Sequence, residues 1–216
     1  MQAGERALRS GAVQEATVHL ERALAMFVPA KLDPIERTHG LSLLSRAYNA
    51  AGRPAASVEI LERIIQTAGF AVPQTAAAIA ASLAELGLRH AAFRLRLWNK
   101  PAFDSGAARA AMAEVADASL WADATMSWAR SPAQLFHFVL TWVRMAERLG
   151  DPVRIACAYG QLATMLSLTP LGFLTAGYFA QSRALLGQAG ASARVWERQK
   201  SWTAFVQLNH GDWVSA

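Results

Sequence analysis

Apolar residues recur at helical spacing along most of the chain. One stretch places its apolar residues on a single face of a helix with 3.6 residues per turn. Its members are Ala16, Leu20, Ala23, Leu24 and Phe27. No sustained alternation of β-branched and polar residues occurs, and no Asn-Gly or Asp-Gly dipeptide marks a β-hairpin turn. The pattern therefore predicts an all-α fold.

Three dipeptides combine a capping side chain with a proline: Asp33-Pro34, Ser131-Pro132 and Asp151-Pro152. Aspartate and serine accept a hydrogen bond from the first free backbone N–H groups of a helix. Proline has no N–H to lose at the first helical position. These dipeptides predict helices that begin at residues 34, 132 and 152.

A pattern of small residues recurs with a period near 40. A glycine is followed five residues later by a compact residue and twelve residues later by a small or apolar one. The three complete sets are Gly11, Ala16 and Ala23; Gly52, Ser57 and Ile64; and Gly172, Gly177 and Ala184, with Gly211 and Ala216 beginning a fourth. Ser131, Phe136 and Val143 occupy the same phase with larger residues. The spacing is 41 residues from Gly11 to Gly52 and 39 from Gly172 to Gly211.

The pattern has a physical interpretation in a helical hairpin. The glycine lies in the turn between the two helices, where φ is positive or a side chain would clash. The residue five positions later faces the first helix at its closest approach and must be small. The residue seven positions further lies two turns along the same face. We therefore predict antiparallel hairpins stacked as an α-solenoid, with a unit longer than the roughly 34 residues of a tetratricopeptide repeat.

The chain resembles a known arrangement, the C-terminal tetratricopeptide-like region of large bacterial signalling ATPases. In that family such repeats follow a P-loop ATPase module, often with a class III adenylate/guanylate cyclase or a protein kinase domain further upstream. The family's nucleotide and metal residues lie in those other domains, so the resemblance implies no catalytic residue here. The resemblance covers essentially the whole chain through the segments GERALRSGAVQEATVHLERALAMF, LSLLSRAYNAAGRPAASVEILERII, LRHAAFRLRLWNKPAF, FVLTWVRMAERLGDPVRIACAYGQLATMLSLTPLGFLTAGYFAQSRALL and LNHGDW.

The repeat phase divides the chain into three predicted parts. Residues 1–87 form N-terminal hairpins, residues 88–104 form a linker helix, and residues 105–216 form C-terminal hairpins. The helix before Gly11 is short, and the last hairpin stops at Ala216. A solenoid usually closes with polar capping repeats, so we expect the chain to be a fragment of a larger protein.

The predicted linker is basic and aromatic. The candidate docking residues in it are Arg89, Arg94, Arg96, Trp98 and Lys100. Such a segment could dock an upstream domain, or contact an acidic partner, a membrane surface or nucleic acid. The alternative is a helix whose apolar side packs between two repeat blocks while its arginines extend to solvent.

Composition limits the chemistry that the chain can perform. Of 216 residues, 53% are hydrophobic and 17% are charged, with a net charge of +5. The single cysteine, Cys157, lies in an apolar run and predicts a buried thiol in a reducing, cytoplasmic compartment. No G-x-x-x-x-G-K-[ST], G-x-G-x-x-G or G-x-S-x-G motif occurs, and the five histidines lack metal-ligand spacing. We expect neither a cofactor nor a metal, and no enzyme activity in this chain.

Two further features allow a structural or a functional interpretation. Residues 64–84 and 155–182 are long uncharged stretches, but glycine, proline and glutamine interrupt both. They predict buried hairpins, because a membrane span needs about 20 mostly apolar residues. The seven tryptophans are predicted to fill joints between repeats, with an aromatic ligand groove as the alternative.

Two functions from different classes follow from these observations. The first is a non-catalytic interaction and regulatory module that binds protein, either a peptide or an upstream domain of the same polypeptide. The second is the regulatory repeat region of an ATPase-type transcription activator. A helix-turn-helix beyond Ala216 would support the second, and a cyclase domain before Met1 would support the first.

Overall fold

The computed structural model describes residues 1–26, 33–95, 106–120 and 130–211. These ranges contain helices and no strand, which confirms the all-α prediction. A 3₁₀ turn, Gly172–Leu174, lies between the eighth and ninth helices. The α-helices are α1 (Gln2–Arg9), α2 (Val13–Met26), α3 (Pro34–Ala50), α4 (Pro54–Thr67), α5 (Ala76–Arg94), α6 (Gly106–Leu120), α7 (Pro132–Leu149), α8 (Pro152–Ser167), α9 (Thr175–Gln188) and α10 (Ala193–Asn209).

The three predicted helix starts are confirmed, since α3, α7 and α8 begin at Pro34, Pro132 and Pro152. Asp151 Oδ1 accepts a hydrogen bond from Arg154 N at 2.9 Å, as an N-cap should. Before α7, Gln134 N donates to Ser131 Oγ at 3.3 Å, and Ser131 N donates to Gln134 Oε1 at 3.1 Å. This reciprocal pair is a capping box.

The chain divides into two compact units that are not contiguous in sequence. Unit 1 comprises Met1–Ile79 and Phe103–Leu135, and unit 2 comprises Ala80–Ala102 and Phe136–Ala216. The predicted boundary between residues 87 and 88 falls inside α5, where no helix break marks it. Helix α6 packs against α3 and α4, which explains why its residues belong again to unit 1.

In unit 1, consecutive helices pack as hairpins through small residues. A Cβ on Gly4 of α1 would lie 3.4 Å from the Ala16 carbonyl oxygen of α2. In the next hairpin, Ser57 Oγ of α4 donates to the Ser45 carbonyl of α3 at 2.8 Å. Both contacts join residues twelve apart, so the close approach falls at the same distance from each turn.

The glycine turns of unit 1 have the backbone expected of them. Gly11 has φ of 79° and Gly52 has φ of 72°, in the left-handed region that favours glycine. The pattern residues that lie five and twelve positions after these two glycines are buried, with exposed fractions of 6% or less. They are Ala16, Ala23, Ser57 and Ile64. Gly211, after α10, has φ of 80°, and Ala216 lies outside the described residues.

In unit 2 the predicted phase of the hairpin formed by α8 and α9 is wrong by two residues. The close contacts are made by Thr175, whose Oγ1 donates to the Ala163 carbonyl at 3.3 Å, and by Ser182, whose Oγ donates to the Ala156 carbonyl at 2.7 Å. The predicted contact residues, Gly177 and Ala184, are exposed instead. A Cβ on Gly177 would meet nothing within 4 Å.

The length of the connection explains this error. The turn at Gly52 takes three residues, 51–53, whereas the connection before α9 takes seven, 168–174, including the 3₁₀ turn. Gly172 lies in that 3₁₀ turn without a positive φ, and a Cβ there would make only ordinary contacts of 3.7 Å or more. Besides Gly211, unit 2 has two positive-φ glycines next to helices that the pattern did not identify, Gly150 and Gly190.

Helix α8 is central to unit 2. All twelve residues from Ile155 to Leu166 are buried, among them Cys157 at 4% exposure, as predicted for that thiol. A Cβ on Gly160 would lie 2.6 Å from both Gln199 Oε1 and Trp202 Cε3 of α10. The apolar run at residues 155–166 is therefore buried inside the protein. None of the described helices is both long and apolar enough to cross a membrane.

Tryptophans contribute to the core where the structure describes them. Trp142 and Trp202 are buried, with exposed fractions of 1% and 7%, and Trp196 is half-buried. The other four lie outside the described residues. Two tryptophans are thus part of the core of unit 2, and their predicted place at joints between repeats stays a prediction.

Candidate functional site

The structure describes two of the five residues predicted to form a docking patch. Arg89 and Arg94 lie on α5, while Arg96, Trp98 and Lys100 lie outside the described residues. Arg89 Nη2 lies 2.8 Å from Glu85 Oε1, one turn earlier on the same helix. Arg94 instead crosses to α9, where it donates to Gln181 Oε1. The two arginines therefore have different environments.

Arg94 covers a buried polar cluster that we call the His90 cluster, formed by His90, Glu147, Tyr159 and Tyr178. Its residues come from four helices, α5, α7, α8 and α9. His90 Nδ1 lies 2.5 Å from Glu147 Oε1, and His90 Nε2 lies 2.6 Å from the Tyr178 hydroxyl. The Tyr159 hydroxyl donates to the same Glu147 oxygen at 3.2 Å.

The helix geometry explains how these side chains meet. His90 and Arg94 are four residues apart, so they lie on the same face of α5. That face points His90 at α7 and Arg94 at α9. Glu147 follows Val143 by one turn of α7, which places a carboxylate on the buried face of that helix, where Val143 is fully buried.

The partners of His90 indicate the arrangement of protons. An ionised carboxylate only accepts hydrogen bonds, so Nδ1 of His90 donates to Glu147. In the neutral imidazole, Nε2 is then the acceptor, and the Tyr178 hydroxyl donates a hydrogen bond to it. Carboxylate, imidazole and phenol are thus joined in one chain of hydrogen bonds.

The cluster is aromatic as well as polar. The ring centroids of His90 and Tyr178 are 5.7 Å apart with planes at 29°, and the Tyr159 ring is nearly perpendicular to both, at 79° and 82°. The Arg94 guanidinium lies 5.1 Å from the Tyr178 ring centroid and 5.8 Å from that of Tyr159. This geometry suits a cation–π interaction.

Burial sets the electrostatics of the cluster. The Glu147 side chain has no exposed surface, and its Oε2 has no hydrogen-bond partner among the described residues. Burial, reinforced by the Glu147 charge, raises the pKa of Tyr159 well above that of a free phenol. Burial also raises the pKa of Tyr178, while Arg94 acts in the opposite direction. Both phenols therefore keep their protons at neutral pH.

Sequence reasoning identified Arg94 but missed His90, Glu147, Tyr159 and Tyr178 as a group. His90 and Glu147 are 57 positions apart, and His90 and Tyr178 are 88 apart. The one available signal was Glu147, a carboxylate at an apolar position of the α7 stripe. A charge at such a position needs a partner, because an unpaired buried charge is costly.

Unit 1 has a different concave feature. It is a half-open pocket of about 270 Å³ next to the Ser45–Ser57 contact. Arg46 and Asn49 at its edge are exposed, and the two serines are buried. The lining residues are Leu8, Ser45, Arg46, Asn49, Ala50, Ser57 and Ala118.

Comparison of the chain with protein-family models, with curated proteins and with solved structures finds no match in any of the three. Within the described ranges, no three His, Cys, Asp or Glu side chains are grouped so that they could hold a metal ion. The site must therefore be interpreted from its own chemistry. That chemistry is an arrangement of acid, base and hydroxyl beside a surface arginine.

Proposed function

We propose that this chain is a non-catalytic helical-repeat module, built from tetratricopeptide-like hairpins stacked as an α-solenoid. Its proposed role is to bind protein and to regulate a larger bacterial signalling ATPase or nucleotide cyclase in the cytoplasm. The resemblance of the sequence to such regions supports the proposal. The packing of the hairpins supports it independently.

The observation that carries the proposal is a recurring contact between small residues. Three hairpins pack at positions twelve apart: Gly4 on Ala16, Ser45 on Ser57, and Ala163 on Thr175. Ala16 and Ser57 are 41 residues apart, and Ser57 and Thr175 are 118 apart, close to three periods of about 39. A repeated unit that packs in the same way is the property from which solenoids are built.

A repeat array of this kind acts through its surface. Each hairpin buries one side against its neighbours and presents the other side to solvent, where side chains vary without disturbing the core. Docking partners of repeat proteins are peptides or neighbouring domains. The exposed part of α5, with Arg94 at its end, is the proposed contact for an acidic or upstream partner.

The first test is the DNA that flanks this reading frame. A P-loop ATPase or cyclase domain encoded upstream in the same frame would agree with the proposal. Stop codons close on both sides would count against it. A helix-turn-helix encoded downstream would instead favour a regulatory region of a transcription activator.

The second test uses the parent protein that the first would identify. Nucleotide hydrolysis or cyclisation would be measured with the full protein and with residues 1–216 deleted. We expect the basal rate or its response to a partner to change at least severalfold. A matched variant with Glu197→Gln, an exposed residue on α10, should behave like the unmodified protein. Identical kinetics after the deletion would contradict the proposed regulatory role.

A further inference from the structure

Tyr178 occupies the position of a nucleophile in the His90 cluster. We propose that Glu147, His90 and Tyr178 form a relay that activates the Tyr178 hydroxyl, and that Tyr178 is a covalent acylation site for small acyl phosphates. This inference goes beyond the interaction module and does not depend on it.

The distances carry the first part of the argument. A hydroxyl is a weak nucleophile until an adjacent base takes its proton, and a third group usually orients that base. The Tyr178 hydroxyl lies 2.6 Å from His90 Nε2, and His90 Nδ1 lies 2.5 Å from Glu147 Oε1. His90 is thus the base, and Glu147 is a positioning residue that holds its Nδ1 proton.

The three tyrosines of the chain show why Tyr178 differs from the other two. The Tyr48 hydroxyl donates to the Glu21 carboxylate at 2.6 Å, without an imidazole. Tyr159 donates to Glu147 but is only 1% exposed, so a reagent cannot reach it. Tyr178 combines an imidazole partner with partial exposure.

Arg94 determines the class of acyl donor. Its guanidinium is exposed and lies 5.1 Å from the Tyr178 ring centroid. A cation beside the Tyr178 ring favours an acyl donor whose leaving group is an anion. Guanidinium binds phosphate through paired hydrogen bonds. An acyl phosphate supplies both the electrophilic carbonyl and the anion.

The proposed step is balanced. The Tyr178 oxygen attacks the acyl carbon, and the bond between that carbon and the phosphate oxygen breaks with its electron pair on phosphate. The hydroxyl proton passes to His90 Nε2 and then to the departing phosphate. The products are an O-acylated tyrosine and inorganic phosphate, and no oxidant or reductant is needed.

The experiment treats the full chain with acetyl phosphate and follows acetylation by peptide mass spectrometry. O-acetyltyrosine is removed by hydroxylamine, which separates it from acetyllysine. We expect hydroxylamine-sensitive acetylation at Tyr178 and much less at Tyr48. His90→Gln should slow the reaction about 100-fold, the lower end of what a general base contributes. Circular dichroism would verify that the variant is folded.

Two further measurements keep the inference testable if His90→Gln does not fold. In the unmodified chain, the acetylation rate at Tyr178 should already be substantial at neutral pH, because His90 takes the hydroxyl proton. At Tyr48 it should rise only in the alkaline range where phenols ionise. Arg94→Gln should slow acetylation by acetyl phosphate by a larger factor than acetylation by uncharged phenyl acetate.

Three outcomes would overturn the inference. The first is equal acetylation of Tyr178 and Tyr48. The second is a folded His90→Gln chain that reacts at the unmodified rate. The third is a Tyr178 rate that follows phenol ionisation alone, which would mean that His90 takes no proton.

Discussion

The two units bury polar side chains of different kinds between their helices. In unit 1, helices α3 and α4 contact each other through Ser45 and Ser57, whose hydroxyls lie 2.8 Å apart. In unit 2 the helices around α8 enclose an ionisable pair, His90 and Glu147, whose carboxylate is fully buried. Burying neutral hydroxyls costs little free energy when they hydrogen-bond to each other. Burying a charge costs much more unless its partner is well placed. Unit 2 should therefore be the more sensitive of the two to single changes.

The distribution of buried polar atoms extends this contrast. Among the described residues of unit 2, several buried side-chain atoms have no hydrogen-bond partner. They include Oγ1 of Thr141, Nε1 of Trp142 and Oε2 of Glu147. The ion pairs described in unit 1 are at least partly exposed, as for His39 with Glu114 and Arg130 with Glu62. The charges of these pairs in unit 1 remain near water, whereas the Glu147 carboxylate of unit 2 is fully buried.

The largest expected effect comes from Glu147→Ala. This change leaves the His90 Nδ1 proton and the Tyr159 hydroxyl without their buried acceptor, which should cost about 1–3 kcal/mol for each donor in free energy of unfolding. Urea denaturation would measure the total, and hydrogen exchange should show the loss of protection in α7, α8 and α9. The control is Glu85→Ala, which removes an exposed pair with Arg89 and should cost about 0.5 kcal/mol or less. Similar values for both variants would refute the contrast between the units.

Glycine substitutions test which close contacts matter for stability. Gly160→Ala would place a Cβ 2.6 Å from the Trp202 ring and should destabilise unit 2 by about 1–3 kcal/mol. Gly177→Ala meets nothing within 4 Å and should be neutral or stabilise by up to about 1 kcal/mol, through helix propensity. The sequence pattern had instead placed Gly177 at a close contact with the preceding helix. Thermal unfolding distinguishes the two, and a destabilising Gly177→Ala would restore the original phase.

Gly4→Ala is the counterpart of Gly160→Ala in unit 1. Its Cβ would lie 2.6 Å from Leu20 Cγ, an equally close contact. Helix α1 has eight residues, of which only Gly4 is buried, so it can shift at lower cost than the helix that holds Gly160, where residues 155–166 are all buried. The same substitution should therefore destabilise unit 1 less than unit 2, which the same unfolding measurements would show.

Turn glycines provide a smaller comparison. Gly52→Val forces a branched side chain into a left-handed backbone of φ 72°, which should cost about 1–2 kcal/mol. Gly172→Val requires no such conformation and should change stability by about 0.5 kcal/mol or less. Urea midpoints of the two variants measure the difference. If Gly172→Val proved the costlier change, the 3₁₀ geometry at that turn would be in doubt.

The smallest expected effect is a pH dependence in unit 2. Burial lowers the pKa of His137, which lies 2.9 Å from Ser82 Oγ through its Nε2. The unfolded chain then binds a proton at a higher pH than the folded chain, so stability falls as pH drops below about 6.5. His137→Gln should flatten this acid dependence in unfolding experiments. Ser82→Ala should retain it, because the burial remains.

Features that depend on neighbouring residues could be predicted from the sequence alone. The apolar period of 3.6 predicted helices, and Pro34, Pro132 and Pro152 marked their starts. Gly11 and Gly52 identified turns because a three-residue connection leaves few backbone solutions. These features are local, so a linear pattern is sufficient to find them.

Features that depend on distant residues emerged only from the packing of the helices. A connection of seven residues before α9 moved the close contact to Thr175 and Ser182, which no fixed interval could anticipate. The packing also brought His90 to Glu147 across 57 positions and to Tyr178 across 88. Such contacts between residues that are distant in sequence arise from the way helices pack side by side. Helical periodicity specifies which face of a helix is buried, but not which residue of another helix that face will meet.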